Sequence, residues 1–464
     1  GEDQCKGYPG HEEIELALIR LTEKTGEARY AKLAKHFIDQ RGASPSYFQG
    51  ELDRNPTTRY PWGDGPLAGM RYFQADKPVR QQEAAYGHAV RACYLYSGVA
   101  DVARVCGDES LFEHAKRMFA NIAGRRMYVT GAIGSSGYGE AFTSDYDLPN
   151  DSVYGETCAS IALAFFTRRM LQMEQKSIYA DVMERAIYNT ALAGMSLSGK
   201  NFFYVNPLEV EPESLAFDYY KKHVLPERPK WYGCACCPPN IARLTASIGQ
   251  YAYLQNEDGA YVNLFIGGEA DLPDAGFKLN VTTNYPWEGE IAIDVTESAG
   301  KKLYIRVPDW SKTYEVKVNG VVCDMDTCEG YVCIEPAKGD VILLSLDMSV
   351  RRVYANARVR EDAGLVAIQR GPIVYCVEEI DNGKCLHNLV LPRGAAFEQT
   401  FEKELLGGVV VLKAQGKTLA AKEDAPLHAY DAPCYEDKLI TLVPYFRWNN
   451  RGKGEMRVYL RDGM

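Results

Sequence analysis

The first 256 residues alternate apolar and polar side chains at the spacing of helices. Between His11 and Arg41, apolar residues recur every three or four positions and the pattern is interrupted at Thr25-Gly26, which predicts two helices joined by a turn. The same pattern predicts helices over residues 83–98, 110–122, 156–173, 178–195 and 239–255. Antiparallel helix pairs joined by short turns are typical of an (α/α) toroid.

The predicted helices are too few for a complete ring. We count about seven, whereas a toroid of six pairs, (α/α)6, has twelve. We therefore expect a toroid that lacks the N-terminal part of its barrel in this chain. Between the helices lie long segments rich in Gly, Pro and aromatic residues, at 47–73, 128–150 and 196–237. Loops of this length in a compact domain are usually functional.

After residues 256–259 the period changes from 3.6 to 2, the spacing of strands. Strands are predicted at 261–265, 278–282, 290–295, 302–307, 314–318 and 341–346, with a hairpin at Asn319-Gly320. A second set is predicted at 365–368, 373–376, 409–412, 439–444 and 457–460. The chain is thus predicted to be an α+β multidomain protein: a partial helical barrel over 1–256, a β-sandwich over 257–352 and a second β-sandwich over 353–464.

Composition narrows the functional classes. With 464 residues and 46% hydrophobic content, the chain can bury a large core. No apolar run reaches the roughly 18 residues of a membrane span, and a net charge of −10 without a basic stripe argues against a nucleic-acid partner. The 13 cysteines follow no disulfide framework, which favours a reducing compartment. No signal peptide is visible, so we expect a cytoplasmic location.

Cys234, Cys236 and Cys237 lie within four positions and are followed by Pro238-Pro239. Adjacent cysteines pair with each other only at the cost of strain, and two neighbouring thiols more often share a metal. Proline is favoured in the first turn of a helix, so these thiols precede a helix N-terminus, where thiolate is stabilised. The cluster is an activated thiolate, a metal ligand, or both.

Three further positions are candidates for the same chemistry. Glu156 and Cys158 could join Cys236 and Cys237 in a Glu-Cys₃ set of the ligand types that zinc accepts, although the spacing matches no zinc finger. For Cys158 alone, a small apolar helix residue is the simpler interpretation. Glu140 follows a Gly/Ser loop and could be a general acid, against the more ordinary alternative of a solvated loop residue.

Three aromatic or imidazole side chains have competing interpretations. His88 lies on an apolar predicted helix, where a buried core histidine is the default. His11 precedes a helix and could be a capping residue, and Tyr204 lies in an aromatic stretch that could be strand core.

Taken together, the motifs at 7–18, 37–42, 87–92, 139–142, 156–159 and 236–240 resemble glycoside hydrolase family 127, the β-L-arabinofuranosidases. The resemblance covers essentially the whole chain and implies an (α/α)6 barrel followed by two β-sandwiches. It implies a zinc ion held by Glu156, Cys158, Cys236 and Cys237, Cys236 as nucleophile and Glu140 as acid/base. His11, His88 and Tyr204 are implied as sugar contacts, while Cys234 has no assigned role.

The chemistry implied by the resemblance is that of a zinc-dependent retaining glycosidase. A thiolate attacks the anomeric carbon while a carboxylic acid protonates the leaving oxygen, and water then completes a double displacement. The expected substrate is a terminal β-L-arabinofuranosyl residue, or a related sugar, on an arabinose-containing oligosaccharide or glycoconjugate. A homodimer through the C-terminal β-sandwich is also expected from the resemblance.

Two other functional classes are alternatives to this one. The first is a non-catalytic, saccharide-binding helical toroid whose Glu-Cys₃ zinc site is purely structural. The second is a thiol redox protein, which the absence of a C-x-x-C motif on a βαβ pattern disfavours.

Overall fold

The computed structural model describes residues 6–55, 69–420 and 426–463. Its N-terminal half is helical and its C-terminal half is built of sheets. The helices are α1 Ile14–Thr25, α2 Ala28–Gln40, α3 Tyr47–Arg54, α4 Ala89–Cys106, α5 Glu109–Arg125, α6 Thr157–Met173, α7 Ser177–Arg185, α8 Pro212–Leu215, α9 Cys237–Ala246 and α10 Gly249–Ala252. A π-helical turn, Ala186–Ala191, extends α7. None of the helices in the described ranges is both long and apolar enough to cross a membrane.

The helices pack in two layers. Helices α1, α4 and α6 lie side by side and α9 packs on α6, while α2, α5 and α7 pack outside α1, α4 and α6 respectively. Helices α4 and α6 are buried on nearly all sides, which explains why their sequences are apolar around the whole helix. The described residues thus form a double helical layer, and they do not close the predicted ring of six pairs.

Two predicted helix boundaries are wrong for identifiable reasons. Helix α4 begins at Ala89 and not at residue 83, because Gly87 adopts a φ of 72° that no helix accommodates and His88 caps the helix. The last predicted helix ends at Ala246, and Tyr253–Gln255 is instead a strand. Helix α3 occupies part of the predicted loop at 47–73, of which residues 56–68 lie outside the described residues.

The first β-unit is a two-sheet sandwich, as predicted. One sheet orders β10 Tyr331–Ile334, β7 Lys302–Arg306, β3 Gly259–Val262 and β2 Tyr253–Gln255. The other orders β4 Gly268–Leu272, β5 Phe277–Thr283, β6 Glu290–Ser298, β11 Val341–Leu346, β8 Tyr314–Val318 and β9 Val321–Cys323. Alternate residues of both sheets share one apolar core, as the period of two requires.

The second β-unit is not the predicted sandwich. Its strands are β12 Val350–Val353, β13 Leu365–Arg370, β14 Ile373–Glu378, β15 Leu389–Pro392, β16 Phe397–Glu402, β17 Val409–Leu419, β18 Tyr435–Pro444, β19 Met456–Arg457 and β20 Leu460–Gly463. Six of them pair in a closed ring, in the order β13-β14-β18-β17-β15-β20 and back to β13. The ring closes because β20 lies between β13 and β15, pairing parallel to β15. A barrel and a sandwich share the same alternation of apolar residues, so the pattern could not distinguish them.

The β-units are joined to the helical layer by buried polar contacts. Arg306 of β7 is fully buried and bonds Asp181 of α7 at 2.6 Å and Glu184 of the same helix. Burial raises the pKa of Asp181 to about 7, even though Arg306 acts to lower it. The short strand Glu209–Val210 (β1) pairs with β19 of the barrel. The helical layer is therefore held on both β-units by specific contacts.

Candidate active site and metal centre

Four helices of the inner layer begin at one cavity of about 580 Å³. His11 lies just before α1, His88 caps α4, and Glu156 and Cys236 directly precede the first residues of α6 and α9. All four side chains line this cavity. Since helix N-termini carry unpaired N–H groups and the positive end of the dipole, this end of the helical layer favours anionic side chains.

Glu156 and three cysteines converge beside the cavity. The sulfur of Cys158 lies 3.4 Å from that of Cys236 and 3.5 Å from that of Cys237, and the two adjacent sulfurs are 3.8 Å apart. Oε1 of Glu156 is 3.4 Å from the Cys236 sulfur. No disulfide joins these cysteines, all of which are free. Cys158 is thus a buried helix residue, as the simpler interpretation had it, and also a member of the cluster.

The donor set fits a tetrahedral metal. Bonds of 2.3 Å to sulfur in a tetrahedron place sulfurs about 3.8 Å apart, close to the spacing in this cluster. Oε2 of Glu156 is buried without a hydrogen-bond partner, and within the described residues no Lys, Arg or His forms an ion pair with this carboxylate. A cation would satisfy the orphaned oxygen and neutralise the group. The four residues can therefore hold a metal ion.

Contacts within the protein shift the pKa values of Cys236 and Cys237 in opposite directions. Hydrogen bonds from Cys158 and Cys237, and another from the Tyr204 hydroxyl, lower the pKa of Cys236 to about 2. The pKa of Cys237 is raised by its hydrogen bonds to the other two sulfurs and by burial. Burial also raises the pKa of Glu156, with the charge of Cys236 adding to the effect. Negative charge is thus concentrated on Cys236, which borders the cavity, whereas Cys237 is fully buried.

Glu140 is held beside α4 by its backbone. A β-bridge pairs His88 with Ala141, and the amide of Phe142 donates to the carbonyl of Gly87 at 3.0 Å. Glu140 itself has a φ of 52°, an unusual conformation for a residue with a side chain. Such conformations concentrate at functional sites, where surrounding contacts maintain them.

The Glu140 carboxylate is embedded in donors. Burial acts to raise its pKa, but the hydrogen bond and charge of His88, with a hydrogen bond from Tyr154, outweigh burial and lower it. Oε2 lies 2.9 Å from Nε2 of His88 and 3.5 Å from the hydroxyl of Tyr204. Nδ1 of His88 accepts from the amide of Arg91 at 3.4 Å, so the Nε2 hydrogen is the one that faces Glu140. Glu140 is therefore a positioned carboxylate and not a solvated loop residue.

Tyr204 connects the carboxylate to the thiol cluster. A β-bridge pairs Glu156 with Val205, and the amide of Thr157 donates to the Tyr204 carbonyl at 2.9 Å. Burial and the nearby charge of Glu156 raise the pKa of Tyr204, so its hydroxyl stays protonated. That hydroxyl bonds Cys236 and lies within reach of Glu140. Tyr204 is thus buried next to the site and is not strand core.

His11 lines the same cavity beside His88. Its Nδ1 lies 2.8 Å from the carbonyl of Glu12, and its ring centroid is 6.2 Å from that of His88 and 6.0 Å from that of Tyr94. Burial and the charge of Arg91 lower the pKa of His11. A neutral imidazole here offers Nε2 to a ligand in the cavity.

Sequence reasoning missed a polar wall. Asn240 and Arg243 of α9 donate to the hydroxyl of Tyr94 at 2.8 and 2.9 Å, and Arg243 pairs with Glu13 at 2.6 Å. Tyr154, which bonds Glu140, was also missed. Glu13 and Asn240 lie inside the motifs that carry the resemblance, which was the one available signal. Tyr94, Tyr154 and Arg243 lie just outside those motifs. Cys234 lines the cavity but does not belong to the cluster.

The helical layer presents a carboxylate and a thiol to one cavity and is followed by two β-units, and comparison with known proteins places this architecture among the glycosidases. Sequence models of the family match in three parts: the GH127 β-L-arabinofuranosidase catalytic domain over residues 1–250, the GH127 middle domain over 259–348 and the GH127 C-terminal domain over 350–461. The chain belongs to glycoside hydrolase family 127.

Relatives with known activity or structure cover nearly all of the chain. A non-reducing end β-L-arabinofuranosidase of Bifidobacterium longum is 44% identical over an alignment of 476 residues. The alignment covers 99% of this chain and 72% of the relative. The crystal structure of a GH127 β-L-arabinofuranosidase from Geobacillus stearothermophilus T6 superposes with a TM-score of 0.96 at 47% identity, covering all of this chain and 74% of that one. A second GH127 β-arabinofuranosidase structure gives a TM-score of 0.86 at 36% identity, covering all of this chain and 70% of that one.

Proposed function

We propose that the protein is a zinc-dependent retaining glycosidase that releases terminal β-L-arabinofuranosyl residues. The observation that carries the proposal is the Tyr204 hydroxyl, which contacts Glu140 at 3.5 Å and also bonds Cys236. One hydroxyl therefore bridges a general acid/base and a nucleophile at the same cavity. A retaining mechanism needs these two groups close together on opposite sides of the anomeric carbon.

Cys236 is the nucleophile in this proposal. Its sulfur borders the cavity and belongs to the one cysteine of the cluster that is only partly buried, and hydrogen bonds favour its thiolate. The thiolate attacks the anomeric carbon, the C–S bond forms as the glycosidic C–O bond breaks, and the sugar is held as a thioglycoside. The N-terminus of α9 orients the sulfur and stabilises its charge between turnovers.

Glu140 acts as acid and then as base. In its protonated form it transfers a proton to the leaving oxygen, and the resulting carboxylate takes a proton from water that attacks the thioglycoside. His88 and Tyr154 hold the carboxylate in place in both steps. His11, His88 and Tyr204 then contact the sugar hydroxyls, and Asn240 and Arg243 supply further donors along the wall.

Glu156, Cys158, Cys236 and Cys237 would hold the zinc ion. Three sulfurs and one carboxylate oxygen in tetrahedral spacing match the ligands that zinc prefers. When bound, the ion supplies positive charge that keeps the coordinating thiols deprotonated.

We further propose that the double helical layer is part of an (α/α)6 toroid and that the chain divides into domains at 1–256, 257–352 and 353–464.

The alternative, a non-catalytic toroid with a structural zinc site, is less well supported. A purely structural site has all of its ligands enclosed. Here Cys158, Cys237 and Glu156 are buried, but the Cys236 sulfur borders the cavity and faces the Glu140 carboxylate across Tyr204. A purely structural zinc site also does not account for the strained backbone conformation of Glu140 next to the cavity.

The direct test is hydrolysis of p-nitrophenyl β-L-arabinofuranoside, with the α-anomer as the matched control. We expect cleavage of the β-anomer, with the β-configured sugar appearing first when the reaction is followed by proton NMR. Release of the α-configured sugar would contradict the double displacement, and failure to cleave either anomer would contradict the activity.

Replacing His88 with Ala should change the pH dependence. The contact with His88 lowers the pKa of Glu140 and burial opposes it, so removal of the imidazole raises that pKa. Because the acid step requires protonated Glu140, the alkaline limb of kcat/KM should move to higher pH. His11→Ala is the control: it removes another cavity imidazole that does not bond Glu140, and should lower kcat/KM without moving the limb. An unmoved limb in His88→Ala would refute this coupling.

A further inference from the structure

The segment that carries Tyr204 lies between the helical layer and the C-terminal β-barrel. On one side its backbone is bonded to the start of α6. The amide of Thr157 donates to the carbonyl of Tyr204 at 2.9 Å, and the Thr157 hydroxyl donates to the carbonyl of Phe203 at 2.8 Å. The side chain of Tyr204 lines the cavity that holds Cys236, whereas the neighbouring Phe203 is fully buried against the barrel.

Trp448 of the barrel packs on the ring of Phe203. The two ring centroids lie 4.8 Å apart, and the ring planes are 11° from parallel. Both side chains are fully buried, and the indole N–H of Trp448 has no hydrogen-bond partner among the described residues. Burying an unpaired donor is unfavourable, so the indole is placed here for the contact of its ring face and not for a hydrogen bond.

A buried arginine joins the two rings. The guanidinium of Arg228 lies 4.5 Å from the ring centroid of Phe203 and 5.8 Å from that of Trp448. Its Nε and one Nη donate to the carbonyl of Ala193 at 3.0 and 2.9 Å, and its other Nη donates to the carbonyl of Trp448 at 2.6 Å. The side chain of Asn449 accepts from the amide of Arg228 at 3.0 Å. Phe203 is therefore held between a cation and an indole that are bonded to each other.

The barrel also holds the residues that follow Tyr204. The hydroxyl of Tyr445 donates to the carbonyl of Pro207 at 3.0 Å. The amide of Val458 donates to the carbonyl of Leu208 at 2.9 Å, and the next two residues form β1, which pairs with β19. The position of Tyr204 relative to α6 is thus set by the barrel on one side and by the start of α6 on the other.

The contact between Tyr204 and the acid/base residue depends on this support. The Tyr204 hydroxyl lies 3.5 Å from Oε2 of Glu140, at the outer limit of a hydrogen bond. The rings of Tyr154 and Tyr232 lie 5.9 and 5.6 Å from that of Tyr204 and limit its rotation. They do not fix its backbone, so a small shift of the segment away from Glu140 breaks the contact. Misplacing a group of an active site by about 1 Å can lower a rate about 100-fold.

We propose that Trp448 is a positioning residue: by stacking on Phe203, it keeps the Tyr204 hydroxyl within reach of Glu140. The inference rests on the proposed function and extends it. The C-terminal β-barrel becomes necessary for catalysis, although none of its described residues lines the cavity that holds Cys236.

The test is a double-mutant cycle of Trp448→Ala and Tyr204→Phe in the zinc-loaded protein, with p-nitrophenyl β-L-arabinofuranoside as substrate. In the wild-type background, Trp448→Ala should lower kcat about 100-fold, because it displaces the hydroxyl. In the Tyr204→Phe background the hydroxyl is already absent, so the same substitution should lower kcat by no more than about twofold. Trp448→Phe keeps a ring against Phe203 and should retain most of the wild-type kcat.

A purely structural role of Trp448 gives a different result. A loss of correctly folded protein lowers kcat by the same factor in both backgrounds, and equal losses would overturn the inference. An unchanged kcat in Trp448→Ala, or a Trp448→Phe variant as slow as Trp448→Ala, would also overturn it. If Trp448→Ala does not fold, Trp448→Leu, which fills more of the space but has no flat ring, takes its place in the cycle.

Tyr375→Ala is the matched control. Tyr375 is a fully buried aromatic residue of the same barrel, and its hydroxyl donates to the carbonyl of Val410 in β17. The substitution should lower Tm, as Trp448→Ala does, but should leave kcat unchanged at temperatures where the protein is folded.

Hydrogen–deuterium exchange measures the support of the segment independently of turnover. The amides of Phe203, Asn206 and Leu208 are hydrogen-bonded, so loosening of the segment appears as faster exchange. Trp448→Ala should speed exchange at 203–208 but not in α6, and Tyr375→Ala should leave 203–208 unchanged. Unchanged exchange at 203–208 in Trp448→Ala would overturn the inference. If the wild-type protein does not cleave the substrate, the proposed function fails, while the exchange still decides whether Trp448 holds the segment of Tyr204.

Discussion

Cys236→Ser is expected to lower kcat for β-L-arabinofuranoside hydrolysis on the order of 10⁴-fold or more. Serine has a far less acidic side chain than cysteine, so the hydrogen bonds that favour a thiolate at this position cannot produce an equivalent alkoxide. The substitution is close to isosteric, and the side chain is only partly buried, so the fold should be retained. Steady-state kinetics, with Tm from thermal unfolding, measure the two effects independently.

Two neighbouring cysteines provide controls for this substitution. Cys234→Ser changes an exposed thiol of the same cavity outside the metal cluster, and should leave kcat and zinc content unchanged. Cys237→Ser changes a fully buried ligand, and should lower zinc content and Tm together. If Cys236→Ser instead loses zinc and stability as Cys237→Ser does while retaining turnover, the site is structural and Cys236 is not the nucleophile.

Arg306→Met should destabilise the folded protein by about 3–5 kcal/mol. Arg306 is fully buried and is the cation between Asp181 and Glu184, so its removal leaves two buried carboxylates facing each other. Tyr285 and Trp310 also donate to Glu184, at 2.6 and 3.1 Å, and hold it in place without neutralising it. The arginine belongs to the sandwich and both acids belong to α7. The lost stability is therefore that of the contact between the sandwich and the helical layer. Urea denaturation followed by tryptophan fluorescence measures it.

Lys278→Met is the matched control for Arg306→Met. It removes a cation of the same sandwich whose ion pair with Glu297, at 3.2 Å, lies at the surface. Exposed pairs of this kind contribute little, so no measurable change in the free energy of unfolding is expected. Equal effects of the two substitutions would show that the buried triad does not hold the sandwich on the helical layer.

Local patterns predicted the elements well and their assembly less well. The apolar periodicity around α5 and α6 and the alternation in β5, β6 and β11 were sufficient to place those elements, because each buries one face or all faces in a regular way. The barrel was missed because its closure depends on β20 pairing with both β13 and β15. Nothing in the local alternation of residues 365–368 or 457–460 encodes a partner so distant in the chain.

In the candidate site, too, the sequence indicated single residues better than the way they come together. Cys236 and Cys237 were conspicuous by their spacing, but ligand type alone gave only a weak reason to join Glu156 and Cys158 to them before the family resemblance, since the cluster spans about eighty residues of sequence. The structure brings Glu156, Cys158, Cys236 and Cys237 within 4.8 Å of one another. Tyr154 was not found, because a tyrosine before a helix has many ordinary uses and only its contact with Glu140 distinguishes it.

The convergence of helices α1, α4, α6 and α9 on one cavity links ligand binding to folding. A ligand that contacts His11, His88, Glu156 and Cys236 is bound only when all four helix N-termini are assembled. At a concentration of one hundred times its Kd, such a ligand raises the free energy of unfolding by about 2.7 kcal/mol, a sizeable part of the stability of a typical domain. A ligand bound in this cavity would therefore link segments from opposite ends of the helical region, and a metal ion held by Glu156, Cys158, Cys236 and Cys237 would link α6 to α9.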